Sequence, residues 1–416
     1  MKQSMRFKLG TLALSLGLLG GTVAHAETVK IALIDPLSGS FAALGENQLK
    51  TWQYVGDIAN KEGWAGKYKF EFVGFDNKAA VQDSLSQLKR AIDQGYRYVA
   101  QANGSGAAFA LVDAINKHNS RNPGKEVVYI NHGAIDPGLT NEECSFWQFS
   151  VDSNVNMKMQ ALVNHLATNQ DVKKVYIIGQ NYAFGRAVSK AAKEMLAEKR
   201  PDVEIVGDDL HPIGEVKDFS PYVAKIIASG ADTVITGNWG SDLALLIRSA
   251  RASGLNANFY TYYAVLKGSP TAMGESGLER VKYVGVWNVN NEGYKGRELV
   301  EGFKEKYNDD LTWLQAYSAV ALLSKAMKET GSAEPIDVAF ALEDLEVDSL
   351  NGRIKMRATD HQLQQPLYVA TWSKTNDSNV QLEQEGTGFG WRTEAVIPAE
   401  EAELPTTCKM KRPAKP

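Results

Sequence analysis

From Val29 onward the chain alternates short β-branched or aromatic runs with amphipathic stretches, and this alternation restricts the fold more than any other feature. "VKIALI" (29–34) precedes a stretch in which Leu49, Trp52, Val55 and Ile58 recur every third residue on one helix face. "YKFEFVGF" (68–75) alternates like a strand, and Val81, Leu85, Leu88 and Ile92 follow at helix spacing. "YRYVAQ" (96–101) and "EVVYIN" (126–131) read as the third and fourth strands. Near Ser150 the pattern restarts with "KKVYIIG" (173–179), a helix over 187–199, "VEIVGD" (203–208), a helix over 222–228, "ADTVITG" (231–237) and a helix over 243–252. Strand-helix-strand units of this kind build parallel sheets covered on both faces, so the fold class is α/β, with two doubly wound lobes.

Beyond about residue 280 come "KYVGVW", a helix over 295–307 and another over 313–330 that is apolar on most faces and should be buried. The last stretch, from "NDSNVQ" onward, loses periodicity and reads as an extended tail with a solvated basic end. There is no repeat of fixed period and no low-complexity segment.

The first residues have the layout of a secretory leader: Lys2, Arg6 and Lys8, an apolar run over 9–19, then small residues at Ala24-His25-Ala26. Cleavage is expected after Ala26, with a periplasmic mature protein. The alternative, a membrane anchor, needs roughly 20 apolar residues, far more than this run supplies. About 390 residues remain, which is large for one core and favours two domains. A formal net charge of -4 supplies no electrostatic reason to expect nucleic acid or an anionic membrane as partner.

Cys144 and Cys408 are the two cysteines. In an oxidising compartment such a pair is expected to bridge, tying the tail to mid-chain; two free thiols or an intermolecular link are the alternatives.

Three loops at strand ends in the first half are rich in glycine, serine and small residues: "DPLSGSFAALG" (35–45), "ANGSGAAF" (102–109) and "NHGAIDPGLT" (131–140). At the C-terminal edge of a parallel sheet they would present backbone N–H groups beside helix starts, a setting for a carboxylate or similar anion. Ordinary turn chemistry also uses these residues. In the second half, "GQNYAFG" (179–185), "GNWGSD" (237–242) and "YTYYA" (260–264) bring aromatics, among them Phe184, Trp239, Tyr262 and Tyr263, to cover an apolar ligand or to pack the lobes together.

Several chemistries lack their parts. Gly104 and Gly106 begin a dinucleotide fingerprint, but Phe109 stands at its last glycine and the loop follows the third strand; no phosphate-loop motif occurs. Ser105 in "NGSGA" is not a nucleophile elbow. His118, His132, His165, His211 and His361 show no metal-ligand spacing. The reading is therefore a non-enzymatic binder, with no metal and no cofactor.

"KIALIDPLSGSFAALGENQLKTWQYVGDIAN", "QANGSGAAF", "INHGAIDPGLT", "VYIIGQNYAFG" and "TVITGNWGSDLALLIRSARASGL" together resemble the type I periplasmic solute-binding proteins, nearest to the leucine/isoleucine/valine-binding group that serves ABC importers. The similarity spans nearly the whole mature chain and weakens after about Met356. It implies two lobes joined by three crossovers and closing by a hinge: 27–148 plus 284–353, and 149–283 plus 354–416 with the extended tail. It also implies a membrane permease as partner and a monomeric protein.

Carried over by position, the resemblance makes Ser105, flanked by Asn103 and Gly104, the hook for the ligand carboxylate. It puts Gly133 where a carbonyl takes an ammonium, and Leu44, Phe184, Trp239 and Trp287 around the ligand side chain. Ile135 stands where amino-acid binders of the family commonly carry a threonine, and Tyr263 where they commonly carry an ammonium-pairing glutamate. A buried ammonium without a partner is costly. The expected ligand is thus a small carboxylate-bearing solute: an aromatic or other organic acid or amide, or a hydrophobic amino acid if Asn103, Asn181, Asp242 or another acid compensates. A sensory protein of the same fold is the alternative function.

Overall fold

The computed structural model describes residues 27–292 and 295–415. The leader expected over residues 1–26, with its cleavage point after Ala26, lies outside them.

The first lobe is built on β1 (Glu27–Asp35), β2 (Tyr68–Asp76), β3 (Tyr98–Gln101), β4 (Val128–Asn131) and β5 (Gln148–Ser150), all parallel, in the order β2-β1-β3-β4-β5. Its helices α1 (Ala42–Glu62), α2 (Val81–Asp93) and α3 (Ser105–Arg121) follow β1, β2 and β3 in turn. Every residue of β3 and β4 is buried, as expected for strands sandwiched between helix layers. On α1, Trp52 and Val55 have no exposed surface. At Gly56, on the same helix, a Cβ would fall 2.3 Å from the Phe72 ring, so its small size sets how closely α1 approaches β2.

The second lobe repeats the design with α4 (Val155–Ala167), β6 (Lys174–Gln180), α5 (Ala183–Lys199), β7 (Glu204–His211), α6 (Ser220–Ser229), β8 (Thr233–Thr236), α7 (Gly240–Ala252), β9 (Asn258–Thr261), α8 (Ser269–Met273) and β10 (Val281–Gly285). The chain then returns to the first lobe, where α9 (Arg297–Tyr307), α10 (Leu314–Thr330) and α11 (Pro335–Leu342) follow, and α10 packs on α1. Most of α10 is buried, as its apolar faces require. A small antiparallel sheet of β11 (Glu346–Ser349), β12 (Gly352–Met356) and β13 (Leu363–Gln364) leads back to the second lobe through β14 (Leu367–Lys374), β15 (Phe389–Ile397) and α12 (Ala399–Ala402). The large second sheet runs β15-β14-β10-β9-β8-β6-β7, with β14 and β15 antiparallel at one edge.

The stretch read from sequence as an extended tail is thus structured in part: β15 pairs with β14 in eight residue pairs, with a bulge at Glu394. An edge strand buries one face only, so its mixture of Arg, Thr and Glu with apolar residues has the composition of a loop. The true tail begins after α12, and Cys144 and Cys408 are disulfide-bonded.

Strand order reverses between β1 and β3 in the first sheet and between β6 and β8 in the second. Open α/β sheets bind ligands at such switch points, beyond the carboxyl ends of the strands.

Candidate functional site

Both switch points open on one interlobe cavity, lined by Ala102, Asn103, Gly104, Ser105, Gly133 and Ala134 from the first lobe. Tyr182, Phe184, Trp239, Tyr263 and Leu266 face them from the second, and Trp313 completes the wall from the segment before α10.

The first-lobe wall hangs on Asp35, at the end of β1. One carboxylate oxygen accepts from the N–H groups of Ala102 and Asn103 and from the Asn103 side-chain amide, each at 3.0 Å. The other oxygen meets His132 Nε2 at 3.1 Å. Trp313 Nε1 donates to His132 Nδ1 at 2.8 Å. An indole nitrogen only donates, so Nδ1 is the acceptor and Nε2 carries the proton toward Asp35. Asn103 also donates to Gln48 at 2.7 Å, so its carboxamide braces the loop from behind.

Two glycines shape this wall. Gly104 caps α3 at φ +100°, a region costly for any residue with a Cβ, and starts the helix at Ser105. At Gly133 a Cβ would lie 2.6 Å from the Trp313 ring and 2.9 Å from the Ala102 Cβ, so the indole is seated against bare backbone. The Ser105 hydroxyl accepts from the Asp136 N–H at 3.3 Å, which leaves its own proton to donate. With the Ser105 and Gly106 N–H groups, which as the first two of α3 precede the helix's own bonding that starts at the Ala107 N–H, it forms an anion-binding corner.

On the second lobe, Tyr182 and Trp239 cap α5 and α7. Trp239 Nε1 donates to the Tyr182 hydroxyl at 2.8 Å, freeing the phenol proton for another acceptor. Burial pushes the Tyr182 phenol well above its ordinary range, so it stays a neutral donor. Phe41, from the loop after β1, closes the side of the cleft by packing on Trp239 with ring centroids 4.3 Å apart.

Tyr263 reaches across the cleft. Its hydroxyl lies 3.3 Å from the Gly133 carbonyl oxygen and 3.4 Å from Asp152 Oδ2. Asp152 is itself bound by Lys158 at 2.8 Å, both side chains being 1% exposed. The Lys158 ammonium also sits 4.8 Å from the centre of the Tyr263 ring. Burial lowers the Lys158 pKa and Asp152 opposes that shift; burial, then the Asp152 charge, pushes the Tyr263 phenol up.

Of the residues expected at the site, Asn103, Gly104, Ser105, Gly133, Phe184, Trp239 and Tyr263 line this cavity. Leu44 is buried within α1, and Ile135 accepts the Val155 N–H through its carbonyl at 2.9 Å, where the chain first crosses between lobes. Asn181 is exposed and accepts from Arg186. Trp287 lines a separate cavity with Tyr283, Leu311 and Trp391. Asp242, considered as a compensating acid, accepts from Gln180 and from the Gly214 N–H within its own lobe. Tyr182 lies inside the strand-end motif 179–185; Trp313 and Lys158 carry no local signal. Among the described residues no group of three or more His, Cys, Asp or Glu side chains is placed to hold a metal ion, and no helix is long and apolar enough to cross a membrane.

Comparison with known proteins agrees with this architecture. A family model described as periplasmic binding protein matches residues 28–378. The Leu/Ile/Val-binding protein homolog 4 of Brucella abortus (strain 2308) is 30% identical, over 97% of this chain and 98% of its own. The closed crystal structure of the leucine-, isoleucine-, valine-, threonine- and alanine-binding protein from Brucella ovis superimposes with a TM-score of 0.82 at 29% identity, covering 93% of this chain and 100% of that one. A solute-binding protein of an R. palustris ABC transporter, solved with benzoate, shares the fold at a TM-score of 0.77 and 20% identity, over 92% of this chain and 99% of its own.

Proposed function

Because the chain belongs to the type I periplasmic binding protein family, we propose that it captures a small carboxylate-bearing solute without an α-ammonium group, an aromatic or other apolar organic acid, and delivers it to the membrane permease of an ABC importer. Its relatives are solute-binding proteins of the branched-chain amino acid type and not enzymes. In this reading the lobes are 27–148 plus 284–353 and 149–283 plus 354–416. Contacts from both lobes make the closed form the ligand-favoured one, since only differential affinity shifts a hinge equilibrium.

The observation that carries the ligand class is the Tyr263 hydroxyl, which donates to the Gly133 carbonyl while Asp152 is neutralised by Lys158. An incoming ammonium would meet a carbonyl already engaged, and beyond the phenol a buried cation in place of a free carboxylate. A buried ammonium without an anionic partner loses several kcal/mol of solvation, so it is rejected. A carboxylate, in contrast, finds the Ser105 hydroxyl, the start of α3 and the Tyr182 proton. Phe184, Trp239, Leu266 and Trp313 supply a predominantly apolar and aromatic surround for the rest of the molecule.

Calorimetric titration of ligand-free protein with leucine and with its 2-oxo analogue, which differ at the amino carbon, tests the reading, with benzoate and 4-hydroxybenzoate extending the panel. The acids should bind and leucine should not. Micromolar leucine binding, about -8 kcal/mol, would overturn the ligand class while leaving the family untouched.

A further inference from the structure

The C-terminal tail crosses from the second lobe to the first, and it is fastened at both ends. Its near end is α12, which packs on α4 with Ala402 only 3% exposed. Glu403, Leu404 and Pro405 then bridge to the first lobe. There the Thr406 hydroxyl donates to the Thr140 carbonyl at 2.7 Å, the Thr407 N–H donates to Asn141 at 2.9 Å, and Cys408 is bonded to Cys144. Farther on, Arg412 pairs with Glu343 at the end of α11 and its guanidinium lies 5.9 Å from the centre of the Phe146 ring.

The bridging residues rest on the turn between β12 and β13, just before the chain makes its last crossing into β14. Arg357, clamped by Asp360 at 2.6 Å, donates to the Glu403 carboxylate at 2.6 Å and to the Leu404 carbonyl at 2.9 Å. In the same turn His361 is fully buried, stacked on Phe149 at 4.1 Å. Its ring nitrogens lie 3.1 Å from the Gln148 carbonyl oxygen and 3.0 Å from Glu343, the carboxylate that also holds Arg412. Tail, hinge turn and sheet edge are therefore one connected assembly.

We propose that this tail is a strap that limits how far the two lobes open. From Ala402 to Thr406 there are four Cα–Cα steps, so the two anchors can separate by at most about 14 Å. Swinging α4 away from the Thr140–Cys144 loop draws the strap tight, and further opening must undock α12 or strip Arg357 from the bridge. The disulfide keeps the far anchor from yielding. The three crossovers let the lobes rotate, and the strap sets a stop to that rotation. The proposal rests on the hinge motion of two-lobed binding proteins and not on the identity of the ligand.

Small-angle X-ray scattering on ligand-free protein tests it with three samples. These are the oxidised wild type, the Cys144→Ser/Cys408→Ser variant, and a variant with Gly-Ser-Gly-Ser inserted after Leu404, which lengthens the strap but keeps the disulfide. Both variants should show a larger radius of gyration than wild type. So should wild type treated with dithiothreitol, which reduces the bond to two thiols as it closes to its own cyclic disulfide. An unchanged radius in the insertion variant overturns the strap, even if the double serine variant expands, because the disulfide would then act on folding alone. Should the double serine variant not fold, the insertion variant decides by itself.

Discussion

The hydroxyl of Tyr263 donates across the cleft to the carbonyl oxygen of Gly133, 3.3 Å away and on the other lobe. One side chain thereby spans the lobes and occupies the acceptor an amino-acid ligand would need. Tyr263→Phe frees that carbonyl and keeps the Asp152–Lys158 pair in place. The closed form should lose about 0.5 to 1.5 kcal/mol, read as weaker binding of a carboxylate ligand in calorimetry. An affinity equal to wild type would mean the contact plays no part in closure.

Ser105 supplies the hydroxyl at the start of α3. Ser105→Ala should weaken carboxylate binding by about 1 to 3 kcal/mol, the range for losing a hydrogen bond to a charged group. Because the Asp136 N–H loses its acceptor, the unfolding midpoint should also fall modestly, so affinity is compared under conditions where both proteins are fully folded. If affinity is unchanged, Ser105 does not hold the carboxylate.

Lys158 and Asp152 form a pair with both side chains 1% exposed. Lys158→Met leaves a buried carboxylate uncompensated and should cost about 3 to 5 kcal/mol of stability in urea unfolding. Adding Asp152→Asn should recover much of that loss, because the charge goes with its partner. Additive losses in the double variant would show that the two side chains do not act as a pair.

Phe41 packs on Trp239 from the opposite lobe. Phe41→Ala removes this contact only in the closed form, and should lower ligand affinity by about 1 to 3 kcal/mol. Ligand should then also quench or shift tryptophan emission less than in wild type. A full-sized emission change at unaltered affinity would remove Phe41 from the closing surface.

Burial lowers the pKa of His165 from 6.5, assisted by the Lys282 ammonium and opposed by Glu394. As pH falls below 6.5, the unfolded chain takes up the proton before the folded protein does. Stability therefore declines with acid through the interval down to the folded pKa, and is fully present above it. His165→Gln should flatten that part of the curve in urea midpoints measured from pH 7.5 to 5. A parallel curve for the variant would assign the decline to other groups.

Much of the architecture was legible along the chain. The buried runs of β1, β3, β4, β6 and β8 and the apolar faces of α1 and α10 are local patterns, repeated every turn or every second residue. The edge strand β15 escaped because a one-faced strand has the composition of a loop, and the short β5 and β13 are too brief to show a period. At the site, the loops 102–109, 131–140, 179–185, 237–242 and 260–264 are legible because they follow strands, where a parallel sheet exposes its ligand edge, while the roles of Ser105 and Gly133 within them come from the family resemblance.

The sequence by itself determined two doubly wound lobes and the loops that face the cleft, because alternation and strand-end chemistry are written within a few residues. Only the tertiary structure decided which side chains meet there. Trp313 reaches the cavity 181 positions after His132, and Lys158 stands behind Tyr263 from α4, more than a hundred positions earlier in the chain. Leu44, Ile135, Asn181 and Trp287 fall elsewhere although each sits in or beside a telling motif. Periodicity states which face of an element is buried, but not which distant element covers it, and that pairing arises only when two lobes pack against each other.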